Sequence, residues 1–394
     1  MTGPESASPP RVPLWNNPAA SGALWQALLL AALAFLAWNA FDNAAVNMRA
    51  RNIPTSLSFW NNTSGFDINQ TLIDYNAQST YGRAFWVGLL NTLLVAGVGI
   101  VFATLIGFVV GVARLSTNWI VSRLAMVYVE SIRNVPLLLQ LLFWYNAVLS
   151  PLPGPRASIS IFDVAFLNNR GLVLPRPVFH EGASAIVWAF ALGVCGATAF
   201  AFHARRRQRE TGARPPVATV SALLALGLPI AAWFAASEPV TFELPVLRGF
   251  NFASGVQVRP EFVALVLGLV LYTASFIAEI VRAGIQSVPR GQTEAALALG
   301  LRAPLAMKLV TIPQAMRVIV PPLTSQYLNL TKNSSLAVFI GYPDLVQVFA
   351  GTVLNQTGAA VQVIAITMAV YLLISLATSL VMGLYNRRMS LRER

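Results

Sequence analysis

The long apolar runs of this chain limit its possible folds more than any other feature. A helix that crosses a bilayer needs about 20 mainly apolar residues at 1.5 Å each, and eight segments of the 394 residues qualify. Six carry few or no charges: 23–41, 84–113, 183–202, 217–236, 262–283 and 361–385. Two more hold charges within the apolar pattern. Segment 119–149 contains Arg123, Glu130 and Arg133, and segment 315–340 contains Arg317 and Lys332. With 56% hydrophobic and 11% charged residues and a mean hydropathy of +0.62, the chain is too apolar for a water-soluble domain. The expected fold is an all-α integral membrane protein of about eight transmembrane helices.

The 27 Lys and Arg against 15 Asp and Glu give a formal charge of +12. In a soluble protein this excess would point to nucleic acid. Here the cations sit in short loops between apolar runs, so no nucleic-acid partner is expected. Lys and Arg accumulate on the cytoplasmic side of membrane proteins. The loop 203–216 sets Arg205, Arg206, Arg207, Arg209 and Arg214 against Glu210 alone, and the tail holds Arg387, Arg388, Arg392 and Arg394. Both belong inside, whereas 42–83 and 151–181 have mixed charge and belong outside. Eight crossings then place both termini in the cytoplasm and residues 294–313 on the cytoplasmic face. The run 23–41 follows a long, Pro-containing leader and reads as an uncleaved anchor rather than a signal peptide. Residues 1–13 read as disordered.

Several chemistries are excluded by residue counts. One cysteine, Cys195, forms no intrachain disulfide, and two histidines, His180 and His203, make no multi-histidine metal cluster. The only lysines, Lys308 and Lys332, follow Met307 and Thr331, so the Gly-Lys phosphate loop is missing. No catalytic residue, metal or cofactor is expected, and ATP hydrolysis would have to come from another polypeptide.

The stretch EAALALGLRAPLAMKLVTIP, residues 294–313, lies between two membrane segments. Pro289 and Gly291 stop the preceding helix, and Glu294 is predicted in the first turn of the next, where a carboxylate complements exposed amides. Gly300 is predicted to close that helix in the left-handed conformation. Ala295, Ala296, Leu297 and Leu299 give it a small apolar face on a rod too short to span. Such a face either fits a partner's groove or lies on lipid headgroups, and periodicity does not choose.

The pattern Glu294-Ala295-Ala296, Gly300, Val310, Ile312-Pro313 resembles the cytoplasmic EAA loop of ABC importer permeases, which usually carry Ile and Leu where Val310 and Ile312 stand here. The resemblance implies that 291–300 is a coupling helix set into a cleft on an ATPase subunit, with Glu294, Ala295, Ala296, Gly300 and Arg302 at the contact. The stretches 129–145, 278–296 and 312–341 are similar to permeases of polar amino acid importers, apart from Asn134-Val135 where short members usually carry Gly-Thr. The similarity covers 84–149 and 260–388 and implies the five-helix core of a type I importer. The expected layout is an N-terminal part, 1–83, with one helix; the core in two parts, 84–149 and 260–389; and an insertion, 150–259, with two extra helices. That long layout resembles a permease subunit of the general L-amino-acid uptake systems of Gram-negative bacteria. The implied partners are ABC ATPase subunits, a second and related permease, a periplasmic amino-acid-binding protein, the amino acid itself and the bilayer of the bacterial inner membrane.

A charge at mid-membrane costs on the order of 2.5–3.5 kcal/mol, so each one calls for a partner or a purpose. Glu130 with Arg133, and Glu279 with Arg282, are spaced to neutralise each other on one helix face. Lys332 has no acid within a turn. It belongs to the polar run 331–335, and such a run at depth is tolerated where backbone lines a cavity. Lys332, Asn333 and Ser334, with Arg133 and Asn134 ahead of Pro136, are predicted to line the substrate path. Lys332 would then neutralise a substrate carboxylate; otherwise it reaches an interface or pairs with Glu130. Gly107 and Gly111 mark helix packing against a neighbour or a second permease. The competing function is an ion-coupled secondary amino acid carrier, for which inverted repeats and more buried acids would be expected.

Overall fold

The computed structural model describes residues 18–50, 54, 56–180, 182–212, 215–236 and 239–389. Segment 1–13, Arg214, Arg392 and Arg394 lie outside the described residues. Among the described residues seven helices are long and apolar enough to cross a membrane, or eight if one bent pair is counted as a span.

Helix α1 is Pro18–Ala50 and α2 is Tyr81–Ala113, each 33 residues. The Thr80 hydroxyl accepts the Arg83 N–H at 3.2 Å and starts α2. Helix α3, Trp119–Arg133, begins where the Asn118 side chain accepts the N–H of Ile120 at 3.0 Å and of Val121 at 3.3 Å. Helix α4, Leu137–Leu142, continues as a π-helical turn over Phe143–Leu149. The sequence predicts one span over 119–149, but α3 and the α4 segment meet at 104°. Pro136 has no N–H and disfavours a helical conformation at Val135. The carbonyls freed at the end of α3 are then taken by a side chain, because Gln140 Nε2 donates to Ile132 O at 2.8 Å and Val135 O at 2.9 Å.

Helix α8, Pro260–Gln286, runs through the centre of the core and packs against α2, α3, α4 and the helix α11, Ile312–Asn333. Its seam with α2 depends on two glycines. A Cβ on Gly107 would lie 2.6 Å from Ile277 Cβ, and one on Gly111 would lie 2.7 Å from the Ala278 carbonyl. The small-residue pair therefore packs within the chain, against α8. The main core gathers Val95, Leu141, Leu265, Leu269, Ile277, Ile319 and Leu330, all buried. The single-turn helix α12, Leu354–Thr357, leads into α13, Ala360–Met389, which closes the core beside α11.

Among its described residues, segment 150–259 holds a helical hairpin and eight short strands. Helix α5, Ala183–Thr211, packs against α6, Val217–Ala222, and α7, Leu228–Ala235, which are joined by a π-helical turn, Leu223–Gly227. A Cβ on Gly193 would come 2.3 Å from the Leu224 carbonyl oxygen, so this hairpin too closes on a glycine. The flanking loops are partly strands: β1 Ile159–Ile161, β2 Ala165–Asn168, β3 Gly171–Leu174, β4 Arg176–Phe179, β5 Val240–Glu243, β6 Leu247–Arg248, β7 Asn251–Phe252 and β8 Val256–Val258. They form an antiparallel sheet in the order β1-β2-β3-β8 and two separate ribbons, β4-β5 and β6-β7. The Leu172↔Val258 pairing brings the two ends of the segment together just before α8. Strands of two to four residues are too short for alternation to show in the sequence.

Candidate functional site

Helix α9, Arg290–Ala298, follows α8 immediately after Pro289. The sequence places Glu294 in its first turn. In the structure the helix starts earlier, so Glu294 falls in the second turn and the first turn has no acid. Pro289 ends α8 and, with its fixed φ, also leads directly into the next helix, which puts Gly291 inside α9. Gly300, at φ +82°, closes the helix. Its N–H donates to Leu297 O at 2.9 Å, and the Leu301 N–H reaches back to Ala296 O at 3.2 Å. This is a Schellman closure, which only a residue tolerant of the left-handed region makes without strain.

Ala296 is buried against the protein, while Glu294, Ala295 and Arg302 are exposed and Leu299 is 84% exposed. The rod thus has one face seated and one free. Arg302 begins the next helical stretch, with its carbonyl accepting from Leu305 and Ala306. That stretch is α10, Ala303–Ala306, followed by a π-helical turn, Met307–Thr311, and then α11. Two side-chain contacts tie α9 to it: Thr293 Oγ1 to Thr311 Oγ1 at 3.3 Å, and Gln314 Nε2 donating to Gln292 Oε1 at 3.2 Å. These contacts join α9 to the base of α11.

Four charges at this end form one network. Arg282 pairs with Glu279, as its spacing predicts. Glu130 pairs with Arg114 Nη2 at 3.6 Å rather than with Arg133, and Arg114 also bonds Glu279. Arg114, at the end of α2, thereby ties α3 to α8. Arg133 lies with its guanidinium 5.0 Å from the centre of the Phe276 ring. The i,i+3 spacing of Glu130 and Arg133 could not reveal a competing arginine 16 positions earlier.

Lys332, exposed near the end of α11, lines an open cavity of about 400 Å³ with Ser335 and, from α13, Met368, Tyr371, Leu372 and Ser375. The other residues predicted beside it are not among the residues lining this cavity. Ser334 is buried and donates to Thr331 O at 2.7 Å, and Asn333 is half-buried at the helix end. Arg133 and the exposed Asn134 sit at the α3 break.

A buried polar cluster at the opposite end of the core escaped the sequence reading. Asn91, inside α2, donates through Nδ2 to the carbonyls of Gln70 and Pro343, both at 2.9 Å. The Tyr342 hydroxyl accepts from Gln70 Nε2 and donates to Asn91 O, both at 3.3 Å. Asp344, fully buried in the loop after the α11 span, accepts the Gln347 N–H at 2.8 Å and the Tyr371 hydroxyl at 3.3 Å. Burial pushes the Asp344 carboxyl up to about 7, against the backbone amides of Gln347 and Val346 and the Tyr371 hydroxyl, which pull it down. Asn91 in an otherwise apolar run and Asp344 within FIGYPDLVQVF were the available signals.

Comparison with known proteins agrees with this architecture. Residues 214–391 match the family described as binding-protein-dependent transport system inner membrane component. The putative amino-acid ABC transporter permease protein YhdX of Escherichia coli (strain K12) is 50% identical over 96% of this chain and 96% of its own length. The general L-amino acid transport system permease protein AapQ of Rhizobium johnstonii is 48% identical, over 94% of this chain and 92% of its own. The glutamate/glutamine/aspartate/asparagine transport system permease protein BztB of Rhodobacter capsulatus is 44% identical, over 93% of each. These likenesses favour the ABC permease over the ion-coupled carrier. With near full-length identity to such permeases and a helical core of seven to eight spans, the chain belongs to the permease family of amino-acid ABC importers and has the type I permease fold.

Proposed function

We propose that this chain forms half of an amino acid path across the bacterial inner membrane, and that it receives force through α9 from an ATPase carried on a separate polypeptide. Permeases of this family work with an ATPase and a substrate-binding protein, and often with a second permease. The observation that carries the reading is the state of α9. It is a nine-residue helix outside the apolar spans, closed at Gly300, with Ala296 seated and Glu294, Ala295 and Leu299 facing out. Two further residue-level contacts connect it to the start of α11, whose other end carries Lys332. Movement of α9 thus has a route along α11 to the cavity.

The same topology supports one orientation. Helices α5 and α8 both leave the strand-bearing segment and run away from it, so the arginine-rich end of α5 and helix α9 share one side. By the loop-cation rule that side is the cytoplasm, with both termini. The strands then face the binding protein. The proposed division is an N-terminal part, 1–83, a split core, 84–149 and 260–389, and an insertion at 150–259. Lys332 neutralises the carboxylate of the passing amino acid, with Asn333 and Ser334 shaping the helix end around it and Arg133 and Asn134 at the α3 break. A related second permease completes the enclosure, and ATPase closure favours one of the two pairings of the permeases.

The test is co-isolation. An ATPase should be retained by the tagged wild-type chain and lost on Glu294→Arg or Ala295→Trp, both at exposed positions that leave the fold intact. Equal retention by these variants, or no ATPase with the wild type, would refute the coupling role.

A further inference from the structure

The cavity beside Lys332 has a wall that is set from behind. Tyr371 is one of its lining residues, yet the tyrosine hydroxyl is turned to Asp344, donating to Oδ2 at 3.3 Å. Thr92 and Ser334 stand around the same hydroxyl. Asp344 is fully buried, and no lysine or arginine forms an ion pair with it among the described residues. Its other oxygen accepts the Gln347 N–H at 2.8 Å, so one carboxylate joins the start of the π-helical segment Val346–Val353 to α13.

The loop bearing Asp344 has little freedom. Thr92 Oγ1 accepts the Leu345 N–H at 3.0 Å, and a Cβ on Gly88 would come within 3.0 Å of Leu345 Cα. The Asn91 bond to Pro343 holds the same loop one residue away from Asp344. An uncompensated buried acid is costly to keep. Burial pushes this one up to about 7 without any cation to bring it down. A helix cap alone does not call for it, because Asn or Ser caps as well as Asp.

We propose that Asp344 is a positioning residue of the amino acid path: by holding the Tyr371 hydroxyl it fixes the tyrosine ring as part of the wall shared with Lys332, and so sets how tightly the cavity grips its substrate. This rests on the reading of the Lys332 cavity as part of that path. Asp344→Asn keeps an oxygen for the Gln347 N–H but turns an amide donor toward Tyr371, so the tyrosine loses its carboxylate acceptor. Tyr371→Phe keeps the ring and removes only the hydroxyl. Either change removes the Asp344–Tyr371 bond without emptying the cavity.

The experiment measures uptake of radiolabelled L-glutamate, L-alanine and L-arginine in cells where the intact importer contains this chain as its only copy, normalised to permease in the membrane. Tyr371→Phe and Asp344→Asn should each raise KM about three- to tenfold for at least one substrate, with the maximal rate within about twofold of wild type. The double variant should be no worse than the worse single, because the two act as one unit. A wild-type KM for Tyr371→Phe overturns the proposal on its own, even if Asp344→Asn does not reach the membrane. Singles whose effects multiply also overturn it. Lys332→Ala, run in parallel, separates the two layers. If Lys332→Ala leaves uptake unchanged, the path reading fails. If Lys332→Ala raises KM and the Asp344 and Tyr371 variants do not, only the positioning role fails.

Discussion

Asn91 and Pro343 are 252 positions apart in the chain and are joined by a hydrogen bond of 2.9 Å, from the Asn91 side chain to the Pro343 carbonyl. The same NH2 group holds Gln70. A fully buried amide inside α2 thus fastens both the segment before that helix and the loop after α11. Replacing Asn91 with Leu would leave two carbonyls without partners, at about 1–3 kcal/mol each. Purified Asn91→Leu should melt well below wild type, and hydrogen exchange around residues 66–80 should quicken. Gln70→Ala, which loses only a side-chain bond to Tyr342, should do less.

The α2–α8 seam makes a contrast between two glycines on one helix. Gly107→Val would press its Cβ into Ile277 and cost roughly 1–3 kcal/mol or prevent assembly. Gly97→Ala meets nothing within 4 Å and should be neutral or slightly stabilising. Thermal unfolding in detergent, with the amount of chain reaching the membrane, reads both.

Gly300 holds φ at +82° with open space where a side chain would go, so only backbone strain opposes substitution. Gly300→Ala should weaken the closure of α9 by about 1–2 kcal/mol, and Gly300→Asn by less, since Asn visits that region more readily. The expected result is graded retention of the ATPase, with wild type above Asn and Asn above Ala, at unchanged overall melting temperature.

Asp344 imposes a pH dependence whose sign follows from its environment. Its carboxyl is raised from 3.8 to about 7 on folding. Between those values the folded chain keeps a proton that the unfolded chain has released. Stability therefore falls as pH rises through that window and levels off above it. The titratable groups packed around it are Tyr342 and Tyr371, of which Tyr342 is itself raised by burial and by the Asp344 charge and stays neutral throughout. Asp344→Asn should remove this contribution. The melting temperature of wild type minus that of Asp344→Asn should decline between about pH 4 and about pH 7 and level off above; a flat difference across that window would contradict the assignment.

The parts that the sequence makes legible share a cause. Apolar runs, Pro136, the glycines at 107, 111 and 300, and the short rod after Pro289 are all local: hydropathy, a missing N–H or a missing Cβ acts on the residue's own neighbours. The Glu279–Arg282 pair is one turn apart and equally readable. The spacing of Glu130 and Arg133 looked the same, yet Arg114 from α2 reaches Glu130 and Arg133 turns to Phe276. Spacing gives opportunity, while packing of three helices decides which charge is nearest.

Sequence alone was enough to place this chain in a bilayer with about eight crossings and to find a capped rod outside the apolar spans between α8 and α11; the bend at Pro136, within what reads as one span, came from the fold. The crossings and the rod follow from transfer free energies and backbone stereochemistry, which each segment carries alone. The meeting of Asn91, Tyr342, Asp344 and Tyr371, the cavity that Lys332 shares with α13, and the two acids gathered by Arg114 come from packing. Such contacts join residues tens to hundreds of positions apart, and they exist because buried polar groups must find partners wherever the close-packed helices bring them.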